Sequence, residues 1–139
     1  MRIVLDTNIV ISGLLWTREP HRILQAIREA RVSAFSSREL LIELADVLSR
    51  RHLAKNIAAQ NTTAEQLVRG YALPAPPVPL GAIEPIVLGD PDDDIVIATA
   101  LAANADLVVS GDKTVLAVGA YRGVAILTVN DALLRIERL

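Results

Sequence analysis

The 139-residue sequence predicts an α/β domain: a three-layer α/β/α sandwich around a central parallel sheet of four or five strands. Three observations carry this. The apolar runs Ile3-Val4-Leu5, Leu107-Val108-Val109-Ser110 and Val124-Ala125-Ile126-Leu127 are short and mostly β-branched, and they are continuous rather than alternating. That is the pattern of strands buried on both faces. Segments of helical periodicity separate them, and such alternation implies a parallel sheet covered on each side. Hydrophobic residues make up 52% of the chain and aromatics only 3%, so the core is aliphatic. The length suits one domain, residues 1–139, large enough to bury a substantial core.

Ile3-Val4-Leu5 is expected as the first strand, and as the central one because it is so uniformly apolar. Thr7 to Trp16 reads as a turn and first helix. Pro20 suits the start of a second helix, where its missing N–H costs nothing, and that helix buries Ile23, Leu24 and Ile27. Val32-Ser33-Ala34-Phe35 is a further strand. Ser36-Ser37-Arg38-Glu39 has the S-x-x-E form of a capping box and predicts a helix to about Arg51. Its apolar stripe is Leu40, Leu41, Leu44, Val47 and Leu48, and Glu43 borders that stripe. Thr62 or Thr63 caps another helix, to about Leu73. The proline-rich 74–79 segment is an extended connector, too short to link domains. Residues 92–104 are apolar almost all round, as in a largely buried helix. A short helix is expected around Val115. Asn130 can cap a C-terminal helix.

Composition also bounds function. With no cysteine, disulfides and Cys-ligated zinc are excluded. No apolar run reaches the ~18 residues of a membrane helix, and the N-terminus lacks signal-peptide form, so a cytoplasmic protein without membrane contact is expected. The net charge is −2, but residues 18–55 hold eight Lys/Arg against five acids. A basic face on an acidic protein is one reading, and a solvated helix surface is the other. Scarce aromatics argue against recognition of single-stranded nucleic acid mainly by stacking platforms.

The chemistry-bearing residues are four separated acidic positions: Asp6, Glu43, one of Asp92, Asp93 and Asp94, and Asp112. Asp6 and Asp112 follow predicted strands, and sites in open parallel sheets form beyond the strands' carboxyl ends. Each also has a structural reading, since an Asp after a strand often caps the next helix. The run at 92–94 exceeds what one cap needs. Carboxylates gathered from distant segments repel one another unless a cation intervenes. Mg²⁺, with oxygen ligands and a phosphate, removes that conflict. The pattern therefore points to a metal-dependent site for phosphodiester chemistry.

Val4-Leu5-Asp6-Thr7-Asn8-Ile9-Val10 resembles the opening motif of PIN-domain proteins. Ser36 with Glu43 and Leu48 resembles the family's second acidic segment. Asp90-Pro91-Asp92-Asp93-Asp94 with Ala98-Thr99-Ala100-Leu101 resembles its third, and Ala105-Asp106-Leu107-Val108-Val109-Ser110-Gly111-Asp112-Lys113 its fourth. The resemblance closes with Ala125-Ile126-Leu127-Thr128 and is strongest to PIN-type (VapC-like) toxins of prokaryotic toxin–antitoxin pairs. It implies catalytic positions Asp6, Glu43, Asp93 and Asp112, with Asn8 and Ser110 supporting and contacting substrate. Asp6, Asp93 and Asp112 are the implied metal positions; Asp6 and Asp93 bind directly, and Asp112, like Glu43, acts through water or at a second metal. Asp94 is the rival to Asp93, and Asp92 then reads as the helix cap. The implied activity is Mg²⁺- or Mn²⁺-dependent cleavage of single-stranded RNA, in a homodimer with a cognate antitoxin protein. Two other classes remain: a catalytically inactive PIN-fold binding protein, and a phosphatase with Asp6 as nucleophile. The phosphatase pattern wants an Asp at position 8, where the chain has Asn8. No G-x-G-x-x-G follows a strand, which argues against dinucleotide binding.

Overall fold

The structure, a computed structural model, describes residues 1–82 and 91–139, the side chains of residues 91–93 excepted. The first strand, β1 (Arg2–Leu5), leads through Asp6 into α1 (Thr7–Leu15), and α2 (Glu19–Arg28) follows with its proline in the first turn. Then come β2 (Ser33–Phe35), α3 (Arg38–Leu48), a 3₁₀ turn at Arg51–Leu53, α4 (Ala54–Ala59) and α5 (Ala64–Ala72). The remainder is α6 (Pro91–Ala102), β3 (Leu107–Val109), α7 (Lys113–Leu116), β4 (Ala120–Tyr121), β5 (Val124–Leu127) and α8 (Val129–Glu137).

The five strands form one sheet in the order β2-β1-β3-β5-β4. The β1–β2, β1–β3 and β3–β5 pairs are parallel, and β4 is antiparallel to β5. Two expectations are corrected here. The middle strand is β3, with β1 beside it, because β5 and its short hairpin partner extend the sheet past β3. The sheet is also not wholly parallel. Tyr121 pairs with Val124 across the two residues Arg122 and Gly123, both at positive φ (47° and 84°). That is the left-handed backbone of a tight hairpin turn, which glycine adopts without steric cost.

Successive residues of the inner strands feed opposite cores. Ile3, Leu5, Leu107 and Val109 pack with α1, α2 and α8, joined by Ile23, Leu24 and Ile136. Val4 and Val108 pack on the other side with Val96, Ile97 and Ala100 of α6 and Val115 of α7. This is the three-layer α/β/α arrangement that the continuous apolar strands imply, since both faces are covered. Each fully buried Leu, Ile or Val contributes roughly 1.5–3 kcal/mol relative to exposure. Helix α3 reaches both layers: Leu40 joins the α6 core, and Leu44 and Leu48 join the α1 core.

Caps explain where several helices begin and end. α3 is capped by Ser37, whose Oγ accepts the Leu40 N–H at 3.3 Å, so the expected S-x-x-E box starting at Ser36 does not form. Ser36 is engaged elsewhere. Its backbone extends the sheet edge by pairing with Pro77, and its hydroxyl donates to the Ala75 carbonyl at 2.6 Å. The proline-rich connector is therefore laid along the sheet edge. A reciprocal box does form at Thr63 with Gln66. α8 is capped by Thr128 rather than Asn130, because the chain turns directly after β5 and Thr128 is the first side chain able to accept from the opening turn. α2 stops with Ala30 at φ 57°, where the Arg31 N–H donates to Ala26 O and the Ala30 N–H to Ile27 O. Asn104 at φ 50° ends α6 in the same way, with Ala105 N–H to Ala100 O. Both are left-handed C-terminal closures.

Gly13 lets α1 and α2 approach closely. A Cβ there would lie 2.7 Å from Leu24 Cδ1 and 2.9 Å from the Pro20 carbonyl. No helix among the described residues is long and apolar enough to cross a membrane.

Candidate active site

Asp6 stands where β1 ends and α1 begins. Its N–H donates to Val109 O at 2.9 Å, so it extends the ladder with β3, while its carbonyl accepts from Ile9 and Val10. Both carboxylate oxygens are anchored: Oδ1 accepts the Thr7 N–H at 2.8 Å, and Oδ2 accepts the Ser110 hydroxyl at 2.7 Å. Ser110 follows β3, is fully buried, and donates its own N–H to Leu127 O at 3.0 Å. The Ser110 oxygen also accepts the Asp112 N–H at 3.0 Å. A single buried hydroxyl thus links the Asp6 carboxylate, just past β1, to the backbone N–H of Asp112, just past β3.

Asp112 caps α7. Its Oδ1 accepts the Thr114 hydroxyl at 2.6 Å and the Thr114 N–H at 2.8 Å. These donors hold its carboxyl below the usual carboxylate range, the Thr114 hydroxyl contributing most and the Thr114 N–H next. The helix-cap and site readings of Asp6 and Asp112 therefore coexist. Capping supplies N–H donors and the positive end of a helix, which favour the charged form of each carboxylate.

Glu43 lies half-buried on α3, which packs against α1 and α6. Asn8 is exposed on the first turn of α1. The Asp92–Asp94 run opens α6, whose first residue is Pro91. Asp92 is thus inside the first turn rather than ahead of it. The side chains of Asp92 and Asp93 lie outside the described residues, as does Asp90. Asp94 is 5% exposed, a buried acid with interactions of its own, as Asp6 and Glu43 also have. Among the described residues, no three His, Asp or Glu side chains form a group able to hold a metal ion. The donors linked through Ser110 are nonetheless all oxygen, with neither sulfur nor imidazole, and that chemistry fits a hard divalent cation.

Residue-by-residue reading of the acids missed the contacts that orient them. Ser37, which caps α3, and Thr99 of α6 are both fully buried, with hydroxyl oxygens 2.9 Å apart. Thr99 also donates to Ile95 O at 2.8 Å. This pair fastens the helix carrying Glu43 to the helix opening with the aspartate run. Thr114 had a local signal, since Asp-x-Thr at a helix start is a capping pattern. The Ser37–Thr99 pair spans 62 positions and had none.

A family model for the PIN domain matches residues 2–114. No curated protein and no solved structure matches the chain. The matched span runs from β1 into α7 and contains the strand-end aspartates, Ser110, Glu43 and the run that opens α6. With most of its length matched, and with the three-layer architecture described above, the chain belongs to the PIN-domain family, whose members are generally nucleases and typically metal-dependent.

Proposed function

We propose that the chain is a Mg²⁺- or Mn²⁺-dependent endoribonuclease acting on single-stranded RNA, and the toxin of a prokaryotic toxin–antitoxin pair. The observation that carries the nuclease reading is the Ser110 hydroxyl, which ties the Asp6 carboxylate to the Asp112 backbone at the carboxyl end of the sheet. Asp6 and Asp93 would hold the cation directly. Glu43 and Asp112 would act on it through water or complete a second site. When bound, the cation neutralises the clustered charge and lowers the pKa of a water for attack on phosphorus.

The chain's own residues set the conditions for that chemistry. Thr7 N–H and the Ser110 hydroxyl fix the Asp6 carboxylate so that it need not reorganise, and Thr114 keeps Asp112 ionised. Asn8, exposed one residue beyond Thr7, would contact substrate, and its exposure supports that role. Arginines of the 18–55 segment supply the positive charge that a carboxylate site lacks. Arg18, Arg28, Arg31, Arg38 and Arg51 make no ion pair among the described residues, whereas Arg22 pairs with Glu137.

The test is cleavage of structured and unstructured RNAs by purified protein. Activity should require Mg²⁺ or Mn²⁺, vanish in EDTA, and weaken with added salt as phosphate contacts are screened. Asp6→Ala and Asp93→Ala should each abolish it with the fold retained. Asp92→Ala should cost little beyond about 0.3–1 kcal/mol, the worth of an acid in the first turn of a helix. Cleavage that survives EDTA and Asp6→Ala refutes the reading. A well-folded protein without activity would indicate a PIN-fold binding protein instead. A homodimer, with a cognate antitoxin as further partner, completes the proposal. Light scattering that gives only the 15.0 kDa monomer over a wide concentration range counts against the dimer.

A further inference from the structure

Most of helix α1 is buried: Thr7, Ile9, Val10, Ile11, Gly13 and Leu15. Asn8 is exposed, Ser12 is half-buried and Trp16, just past the helix end, is 41% exposed. Asn8 and Ser12, four apart, share a helix face, and Trp16, the extended C-cap residue, follows one turn further along, giving a line of positions. It starts beside Asp6 and ends about 15 Å away, at 1.5 Å per residue. There it enters a cleft of about 480 Å³ lined by Ser12, Trp16, Arg18, Glu19 and Pro20. That volume falls in the range of small-molecule sites.

We propose that this cleft is a nucleobase subsite, in which a base of single-stranded RNA stacks on the Trp16 ring and presents its N–H edge to Glu19. The proposal rests on the ribonuclease reading above and extends it to substrate recognition. The lining decides the chemistry. A bare phosphate is disfavoured, because the Glu19 carboxylate lines the same cleft and would repel it. A purely apolar group would leave both charged side chains facing it. A base suits all of them: a π face for the indole, N–H donors for the carboxylate, and an edge or face for the guanidinium. Among bases, guanine offers two adjacent N–H donors to one carboxylate, whereas uracil offers one donor between two carbonyls that the carboxylate repels. The cleft should therefore prefer guanine to uracil. One stacking residue is consistent with a chain so poor in aromatics, since it adds selectivity at a single position while arginines supply backbone attraction.

Trp16 is the chain's only tryptophan, so emission excited beyond the absorption band of its two tyrosines comes from this cleft. The experiment titrates the Asp6→Asn variant with fluorescently labelled decamers, all-uridine or uridine with one central guanosine. Anisotropy reads total binding and Trp16 emission reads the cleft. Quenching should saturate with the anisotropy change and be stronger for the guanosine oligomer. Adding Trp16→Ala should weaken binding roughly 5- to 150-fold, the worth of one stacked base. Trp16→Phe should retain most of the affinity, which separates stacking from loss of fold. Glu19→Gln should narrow the gap between the two oligomers. Anisotropy that saturates with Trp16 emission unchanged, equal binding by the Trp16→Ala protein, or no RNA binding at all would each overturn the proposal. Wild-type protein that cleaves RNA while showing no quenching sinks the subsite alone. Protein that cleaves nothing in Mn²⁺ yet shows quenching sinks the nuclease reading and supports the subsite.

Discussion

Replacing Ser110 by alanine removes an oxygen that makes two contacts at once: it donates to Asp6 Oδ2 at 2.7 Å and accepts the Asp112 N–H at 3.0 Å. Ser110 is fully buried, so water does not easily take the place of its hydroxyl. A hydrogen bond to a charged group contributes about 1.5–3 kcal/mol net. Asp6 is only half-buried and is still held by the Thr7 N–H, and Asp112 keeps its Thr114 donors, so the expected cost lies near the middle of that range, about 2 kcal/mol. For a chain of this length that corresponds to a fall in Tm of roughly 5–10 °C. The assay is thermal and urea denaturation in EDTA of wild type, Ser110→Ala, Asp6→Ala and the double variant. The cycle should return a coupling of at least about 1 kcal/mol, since both single changes break the same contact. Cleavage should fall too, because the Asp6 carboxylate loses its fixed orientation. A Ser110→Ala cost below about 0.5 kcal/mol, or additivity of the two changes within that margin, refutes the claim that this hydroxyl organises the site.

Metal should stabilise the fold. Millimolar Mg²⁺ or Mn²⁺ should raise Tm by linkage, and Asp6→Asn should blunt the rise, because an amide is a far weaker ligand for a hard cation than a carboxylate; equal gains in both proteins would refute this. Asp112 should titrate below the ordinary carboxylate range. A depressed folded-state pKa contributes stability that is present above the unfolded value and is lost as pH falls through the lowered one. Thr114→Ala should therefore raise the Asp112 pKa and shrink that acid-side loss, read by ¹³C NMR titration in EDTA; an unmoved resonance would contradict the assigned cause. Ala30→Gly should stabilise by about 0.5–1 kcal/mol, because Ala30 sits at φ 57° where an L side chain is strained and glycine is not; a loss of stability on chemical denaturation would show that the strain is absent.

Element types were readable because they depend on neighbours in the chain. The β-branched runs at 3–5, 107–109 and 124–127 are strands, and the 3.6-residue stripe of Leu40, Leu44 and Leu48 is a helix with all three buried. The hairpin strand β4 was not anticipated. It is two residues long, and its one local signal was Gly123 beside Arg122. Helix α4 was also missed, since Ala54–Ala59 carries a single buried apolar residue, Ile57, too little for a periodicity.

The sequence alone determined that acids follow apolar strands and open an apolar helix, and that the core is aliphatic, because these follow from residue type and local spacing. Which strand is central, which serine caps α3, and the meeting of Asp6 with Ser110 across 104 positions were decided only by tertiary structure. Strand order follows from how the connecting helices pack on the two faces of the sheet. A cap goes to whichever side chain the sheet edge leaves available, and here pairing with Pro77 engages Ser36 and leaves Ser37. The Asp6–Ser110–Asp112 link exists because β1 and β3 pair in parallel register, Leu5 beside Val109, so that the residues following them emerge together. Parallel pairing is a nonlocal contact, made possible by the layers that close over both faces, and no spacing along the chain encodes it.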